Sequence, residues 1–307
     1  MLQTDLLIIG GSGFIGARAA QSALRGGQSA ACTYRSRPVP PGIPAYPLDL
    51  GDPAALRALL EQTQPRAVVY SVLSWDLASE ERQMTASAGH LGLLIDALAD
   101  LRLPARLVYI STNAVFSGQR GPSGEDDLPD PELRWDAYRF YGMARRAGER
   151  LALERWPETI VARTANVDGR DAWGALNQRL VSLIEPLRAG QPLPRFVDRI
   201  LSPTLVDSIA DGLVEISAPG FALPPGRVLH IAGSEPVSDY QYARRLAARL
   251  GADPALVRED HYLPPGATGE YNIALDTRYT QSLLTTRLVG VEGLLAALFP
   301  VSHPPAP

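Results

Sequence analysis

The sequence predicts an α/β fold, a doubly wound parallel sheet with a smaller C-terminal region, and three observations predict it. An apolar run over residues 6–9 breaks into a glycine cluster and then into a helix-like stretch. Strand and helix patterns alternate through the first half of the chain, which is typical of parallel strands joined by right-handed crossovers. After about residue 167 the alternation stops and prolines multiply.

The glycine cluster after the first strand carries the most chemical information. Glycines at 11, 13 and 16 satisfy a G-x-G-x-x-G spacing, and glycines at 10, 13 and 16 satisfy a second one. Glycine lets the backbone turn sharply and approach a phosphate, which the N–H groups of the following helix attract. A second strand over residues 29–34 completes a βαβ start. The pattern predicts a dinucleotide site, with a purely structural turn as the alternative.

The remaining elements follow in chain order. Asp52 and Pro53 form a helix start. In the second half, Thr204 with Asp207 and Ser238 with Gln241 each predict a capped helix start. We predict helices over 53–62, 77–100, 136–154 and about 172–189, and strands over 67–73, 106–111, 159–165 and 227–231. These elements divide the chain into a nucleotide-binding domain (1–166), a smaller substrate-binding region that returns elements to the sheet (167–300) and a tail (301–307).

Composition excludes several classes of protein. The formal net charge of −4 provides no basic field for nucleic acid. Cys32 is the single cysteine, so no disulfide forms within the chain. No apolar run approaches membrane-spanning length, and the four histidines are scattered without metal-ligand spacing. We therefore expect a soluble, cytoplasmic protein that binds no metal, membrane or nucleic acid.

The end of the second strand predicts which nicotinamide cofactor binds. NAD binders place an acidic residue there, whereas NADP binders place arginine. Here the chain reads Arg35-Ser36-Arg37 without an acid, which favours NADP(H) over NAD(H) because guanidinium groups bind a 2′-phosphate; a solvated loop is the alternative. Asp49, after the third strand, is either an adenine contact or a cap. The predicted cofactor-binding residues are Gly10, Gly13, Phe14, Ile15, Gly16, Arg35, Ser36, Arg37, Asp49, Leu50 and Ser71.

Four segments, in order along the chain, carry a family resemblance. They read S-T-N-A-V-F-S-G from Ser111, Y-G-M-A-R-R-A-G-E from Tyr141, R-T-A-N-V-D-G from Arg163 and D-R-I-L-S-P-T from Asp198. Together with the glycine loop, they resemble the extended short-chain dehydrogenase/reductases, whose nucleotide domain is of the Rossmann type. The resemblance is strongest to the dTDP-4-dehydrorhamnose reductases. It covers nearly the whole chain.

The resemblance implies a ketoreductase that uses NADPH to reduce a nucleotide-linked 4-keto-6-deoxy sugar or a related ketone. It implies that Tyr141 donates the proton and that the Thr112 hydroxyl contacts the carbonyl oxygen of the substrate. The family lysine that stabilises the tyrosinate is replaced here by Arg145, one helical turn after Tyr141. Arginine keeps the charge but stays protonated, so it cannot pass a proton onward. Such reductases often pair their subunits, which leaves a homodimer open.

The predicted substrate contacts are Asn113, Asn166, Arg179 and Arg199, since a nucleotide sugar brings a diphosphate that arginine binds. Arg195 is a further candidate for that diphosphate. Two alternatives remain. One is a catalytically weak, NADP-binding regulatory subunit, which the arginine at 145 favours. The other is an NAD-retaining epimerase or dehydratase, which Asn113 argues against because the family's dehydratases carry an acidic pair there.

Overall fold

The structure is a computed structural model, and it describes residues 3–74 and 76–300. In chain order its strands are β1 (Leu6–Ile9), β2 (Ala30–Tyr34), β3 (Ala45–Pro47), β4 (Ala67–Tyr70), β5 (Arg106–Thr112), β6 (Thr159–Thr164), β7 (Val167–Asp168), β8 (Leu193–Phe196), β9 (Arg199–Leu201), β10 (Thr204–Leu205), β11 (Val228–His230), β12 (Val237–Ser238), β13 (Val257–Asp260) and β14 (Tyr271–Asn272). Its helices are α1 (Phe14–Arg25), α2 (Pro53–Thr63), α3 (Glu80–Met84), α4 (His90–Asp100), α5 (Arg139–Arg155), α6 (Gln178–Arg188), α7 (Val206–Ser217), α8 (Asp239–Arg249), α9 (Arg278–Leu283) and α10 (Val291–Leu298).

A seven-stranded, wholly parallel sheet in the order β11-β6-β5-β4-β1-β2-β3 forms the centre of the molecule. Helices α1 and α7 pack on one face of this sheet, and α2, α4 and α5 pack on the other. The strand order reverses between β1 and β4, and ligands of such sheets bind at the carboxyl ends of the strands beside that point. The predicted fold class is confirmed.

Burial explains why these segments form strands. Leu6, Leu7, Ile8 and Ile9 are all buried, because their side chains alternate between the two helical layers. Asp52 caps α2 as predicted, accepting hydrogen bonds from the backbone N–H groups of residues 54 and 55. A covered sheet with a capped helix against it is the rigid support that the loops at the carboxyl ends require.

The second half of the chain folds into small sheets over a third apolar cluster. These sheets are β10-β7, β12-β9-β14 and β13-β8. Helices α6, α8 and α10 supply most of the cluster beneath them. Strand β11 joins the central sheet beside β6, so the chain returns to the large sheet after leaving it. No helix in the part of the chain that the structure describes is long and apolar enough to span a membrane.

Several predicted boundaries are wrong. The strand predicted over 67–73 ends at Tyr70, and Leu73 is exposed. The helix predicted over 77–100 begins at Glu80 and contains a π-helical turn, and the one predicted from 172 begins at Gln178. The tail at 301–307 lies outside the described residues.

The predicted capping box at Thr204 is also wrong, because the structure uses both of its side chains elsewhere. Thr204 lies in β10, where its hydroxyl donates to Ser202 O and accepts from Gly233 N. Asp207 pairs with Arg18 on α1. The predicted cap of α8 is confirmed, since the Ser238 hydroxyl accepts from the backbone N–H of residue 241.

Candidate active site

The glycine loop turns tightly between β1 and α1. Gly10 has a φ of +87°, and its carbonyl accepts a hydrogen bond from Gly13 N at 3.0 Å. A Cβ on Gly16 would lie 2.6 Å from Gly10 O, and one on Gly11 would lie 2.3 Å from Cys32 Sγ. The positive φ at Gly10 and the close contacts at Gly11 and Gly16 therefore each favour glycine at that position. The loop delivers the chain to the first turn of α1, where free N–H groups favour an anion.

Two neighbouring strands enclose this loop. Gly10 N donates to Thr33 Oγ1 at 3.0 Å, which ties the loop to β2. Ser71, just after β4, donates its N–H to Ile9 O at 2.9 Å. A Cβ on Gly10 would lie 2.8 Å from Ser71 O, so the end of β4 borders the loop directly. The predicted cofactor residues Gly10 and Ser71 are thus brought together.

The residues predicted to select the cofactor lie at the next strand ends. Arg35, Ser36 and Arg37 follow β2 and are exposed. The Asp49 side chain accepts a hydrogen bond from Gly51 N at 2.9 Å, which is a contact within the turn that follows β3. Leu50 is buried in the apolar cluster beneath.

His90, which the sequence did not single out, lies close to this group. Burial lowers its pKa, the charge of Arg35 lowers it further, and the charge of Asp49 opposes both effects. His90 therefore lies near the charged residues that follow β2 and β3. The sequence did not predict this position of His90, because the four histidines are scattered along the chain without a common spacing.

Tyr141 and Arg145 lie one turn apart on α5. Tyr141 is half-buried, whereas Arg145 is only 2% exposed, and the guanidinium carbon lies 5.2 Å from the centre of the Tyr141 ring. Arg145 Nη2 donates to Val72 O at 2.7 Å, and Nη1 donates to Ile110 O at 3.1 Å. Val72 also borders Gly10, because its Cγ2 lies 3.3 Å from a Cβ built there. The guanidinium therefore connects the Tyr141 helix to the edge of the glycine loop.

A second phenol, that of Tyr109, contacts the Arg145 guanidinium. Tyr109 is fully buried, stacks on Tyr70 with ring centres 6.0 Å apart, and places its hydroxyl 3.5 Å from Arg145 Nη1. Burial lowers the pKa of Arg145, but the phenols of Tyr141 and Tyr109 raise it more, so it lies above its ordinary value. The group stays a cation. Its Nε is buried and has no acceptor among the described residues.

The turn that follows β5 meets the beginning of α5. Thr112 is nearly buried, and its hydroxyl accepts from Ala114 N at 3.1 Å. A Cβ on Gly142 would lie 2.1 Å from Ala114 O, so only glycine allows α5 to approach here. The approach brings the segments of Thr112 and Tyr141 together. Asn113 Nδ2 donates to Ile273 O at 2.8 Å and joins this turn to the C-terminal region.

A buried charge network supports the end of β5 from behind. The Ser111 hydroxyl donates to Glu149 Oε1 at 2.5 Å, and Arg163 donates to both Glu149 oxygens at 2.9 Å. Arg163 Nη1 also contacts His230 Nε2 at 3.4 Å, while His230 Nδ1 lies 2.9 Å from Asp276 O. Because a carbonyl only accepts and a guanidinium only donates, the proton of His230 is on Nδ1. Burial and then Arg163 lower the pKa of His230 to about 3.

The three arginines of the C-terminal region lie near one another. Burial lowers the pKa of Arg195, the charge of Asp239 opposes this effect, and the charges of Arg179 and Arg199 add to it. Within residues 3–74 and 76–300, the Nε atoms of Arg195 and Arg199 are buried without an acceptor. Arg179, by contrast, pairs with the fully buried Asp168 and lies over the Tyr242 ring. The structure thus gathers the predicted diphosphate ligands, with one of them already paired.

Asn166 is the remaining predicted substrate residue. It has a φ of +40°, and its backbone carbonyl accepts from Thr204 N at 3.1 Å. Its Oδ1 is buried and lacks a partner in the described part of the chain. An unpaired buried acceptor is costly unless a ligand or water satisfies it.

Comparison with known proteins adds to this geometry. A family model described as the RmlD substrate binding domain matches residues 4–294. A dTDP-4-dehydrorhamnose reductase of Mycobacterium tuberculosis is 29% identical over 255 residues, which cover 82% of this chain and 78% of that protein.

Solved structures share the fold. The dTDP-4-dehydrorhamnose reductase of Bacillus anthracis in complex with NADP has a TM-score of 0.75 at 17% identity, covering 97% of this chain and 99% of that one. The Bordetella bronchiseptica enzyme WbmH in complex with NAD+ has a TM-score of 0.74 at 18% identity, covering 96% and 97%. The resemblance that the sequence motifs predicted is confirmed.

Proposed function

Because the chain belongs to the RmlD substrate-binding-domain family, we propose that it reduces the keto group of a nucleotide-linked 4-keto-6-deoxy sugar, with NADPH as the reductant. The broader class is that of an NAD(P)-dependent oxidoreductase of the extended short-chain type. One observation supports the proposal most. Arg145 lies beside the Tyr141 ring and also bonds Val72 O, at the border of the glycine loop.

The residues present fit a nicotinamide dinucleotide. Gly10 and Gly16 allow the tight backbone packing that shapes the loop, since a Cβ on either would clash with a backbone oxygen, and the start of α1 offers N–H donors to a diphosphate. When bound, the cofactor supplies the hydride that reduces the carbonyl carbon.

The protein residues supply the proton and the charge. The Thr112 hydroxyl holds the carbonyl oxygen of the substrate, and Tyr141 donates its phenolic proton to the developing alkoxide. Arg145 stabilises the phenolate that remains and does not itself transfer a proton. Reprotonation of Tyr141 therefore draws on another donor, such as solvent, because the half-buried ring keeps an exposed edge.

Arginines of the C-terminal region supply the anion site. Arg195 and Arg199 are partly exposed, and no carboxylate of the described residues forms an ion pair with either of them. A diphosphate bound at their terminal nitrogens would supply this counter-charge. Arg179 contributes charge to the same region while Asp168 holds it in place. Asn166 Oδ1 offers an acceptor for a hydroxyl of the substrate.

The preference for NADPH rests on Arg35 and Arg37. Both follow β2 and are exposed, and no carboxylate of the described residues forms an ion pair with either of them. Replacing Arg35 with Asp removes a phosphate ligand and introduces repulsion, so the ratio of kcat/KM for NADPH to that for NADH should fall at least tenfold. Equal use of the two cofactors by the unaltered protein would refute the preference.

The test of the function is turnover of nucleotide 4-keto sugars, followed as loss of NADPH absorbance. Tyr141→Phe should reduce kcat by at least a hundredfold without changing NADPH affinity. Tyr138→Phe is the matched control, since the Tyr138 ring, immediately before α5, lies 6.4 Å from that of Tyr141 but has glycine, not a cation, four residues later. If the Tyr141 variant keeps its rate, the proposed proton donor is wrong.

The same experiment separates the two alternatives. NADPH binding without turnover on any ketone would indicate a regulatory subunit. NAD released on denaturation would indicate an epimerase or dehydratase. The dTDP-4-dehydrorhamnose reductases among the relatives, matched over 82% and 76% of this chain, favour neither alternative.

A further inference from the structure

A group of aromatic rings lies beside the candidate active site and has no role in the proton or hydride chemistry. We call Trp135, Phe196, Tyr262 and Tyr271 the aromatic wall. The Trp135 ring centre lies 5.0 Å from that of Tyr262 and 5.9 Å from that of Tyr271, and Phe196 lies 5.2 Å from Tyr262. Trp135 is nevertheless 57% exposed. One side of the indole is packed, and the rest remains available for contact.

Asp136 holds the aromatic wall in place. Its Oδ2 accepts hydrogen bonds from Tyr271 at 2.9 Å and from Tyr262 at 3.1 Å, and Arg134 Nε donates to its Oδ1 at 3.0 Å. Arg134 is 4% exposed and also donates to Phe116 O at 2.7 Å. These bonds join two segments more than a hundred residues apart. The position of Trp135 is therefore fixed before a ligand arrives, which reduces the entropy lost on binding.

The aromatic wall connects the two ends of the proposed substrate site. At one end, the Arg134 guanidinium carbon lies 5.8 Å from the centre of the Tyr271 ring and 6.0 Å from that of Tyr138. The Tyr138 ring is in turn 6.4 Å from that of Tyr141. At the other end, the Arg199 guanidinium carbon lies 4.9 Å from the centre of the Tyr262 ring. The wall thus extends from the proposed proton donor to the proposed anion site.

The order of groups in a nucleotide sugar matches this arrangement. The reacting carbonyl is on the hexose ring, and the diphosphate is attached at the anomeric carbon of the same ring. A substrate with its carbonyl at Tyr141 and its diphosphate at Arg199 therefore places the hexose between them. An aromatic side chain there supplies a large apolar contact area with few rotatable bonds.

We propose that Trp135 is a specificity-determining residue, whose exposed indole face packs against the apolar face of the hexose ring. The inference rests on the proposed function and adds the contact that selects the sugar. A 6-deoxy hexose suits such a surface because its methyl group replaces a hydroxyl that would lose a hydrogen bond there. The nucleoside part of the substrate lies beyond Arg199 and does not contact the indole.

The test compares Trp135→Ala and Trp135→Phe in steady-state reduction of a nucleotide 4-keto-6-deoxy sugar. The alanine variant should raise KM for the sugar nucleotide at least tenfold and change kcat less than threefold. The phenylalanine variant should restore KM to within threefold, because an aromatic face remains. Inhibition by the nucleoside diphosphate alone and KM for NADPH should be unchanged. Tyr279→Ala, which removes another exposed aromatic ring on α9, is the control.

Several results would overturn this inference. They are an unchanged KM in Trp135→Ala, a fall in kcat without a change in KM, and an equal loss of affinity for the nucleoside diphosphate. If the unaltered protein reduces no keto sugar, the proposed function fails. Calorimetry with a stable nucleotide sugar and the nucleoside diphosphate then decides the role of Trp135 separately, because only the former should bind the alanine variant more weakly.

Discussion

Replacing Arg145 with methionine tests the electrostatic part of the mechanism. Methionine has a similar reach and no charge, so it removes the cation that lies 5.2 Å from the Tyr141 ring. At that distance and an effective dielectric constant of about 20, the attraction between a guanidinium and a phenolate is about 3 kcal/mol. If the full value is lost in the transition state, kcat falls about 200-fold. The pH dependence of kcat should also move to higher pH.

The assay measures kcat against pH for Arg145→Met and for Arg146→Met. Arg146 is the next residue of α5, is exposed and pairs with Glu132, so its variant should keep kcat within threefold. Because Val72 O and Ile110 O lose their donors in Arg145→Met, NADPH affinity and urea unfolding are measured in parallel. Arg145→Lys retains the charge and should recover at least tenfold of the lost rate.

Two outcomes would refute this reasoning. If Arg145→Met keeps kcat within threefold of the unaltered protein, the cation does not stabilise the transition state. If kcat falls but the pH profile does not move, and lysine restores nothing, the guanidinium acts only through its hydrogen bonds to the strand ends.

Three further predictions concern the support of the site. Since burial and Arg163 lower the pKa of His230 from 6.5 to about 3, the unfolded chain binds the extra proton between those pH values. Stability should therefore fall as pH decreases through this window, by about 2 kcal/mol at pH 5, and urea unfolding of His230→Gln should lack this contribution. Glu149→Gln leaves buried Arg163 without its counter-charge and should cost about 3–5 kcal/mol in urea unfolding; a loss below 1 kcal/mol would contradict the pairing. Gly142→Ala places a methyl group against Ala114 O, so it should lower the free energy of unfolding by about 1–3 kcal/mol in the same assay. It should also lower kcat/KM.

Local patterns in the sequence were enough to predict the glycine loop and the tyrosine helix. Gly10, Gly13 and Gly16 shape a single short loop. Tyr141 and Arg145 share one face of a helix because they are four residues apart. Such features depend on neighbours in sequence. Their chemistry could therefore be predicted before any strand was paired, although their roles remain proposals.

The features that sequence reasoning missed depend on distant contacts. Trp135 and Tyr262 are far apart in the sequence, and their rings meet where the Tyr262 hydroxyl donates to Asp136. The predicted cap at Thr204 is wrong for the same reason, since a distant backbone N–H at residue 233 uses its hydroxyl. Local sequence preferences cannot predict which of several distant groups a side chain will bond.

The fold accommodates an arginine at position 145 by giving its two terminal nitrogens separate acceptors. Ile110 O lies on β5 and Val72 O follows β4, so the planar guanidinium fixes two strand ends relative to α5. A lysine ammonium is a compact charge on one flexible stem and does not match this fork. The backbone positions therefore suit arginine, and the same two bonds hold the cation beside Tyr141. One side chain therefore places a positive charge beside the phenol and also holds the border of the glycine loop in position. Arg145→Lys keeps only the charge, so it should recover only part of the activity.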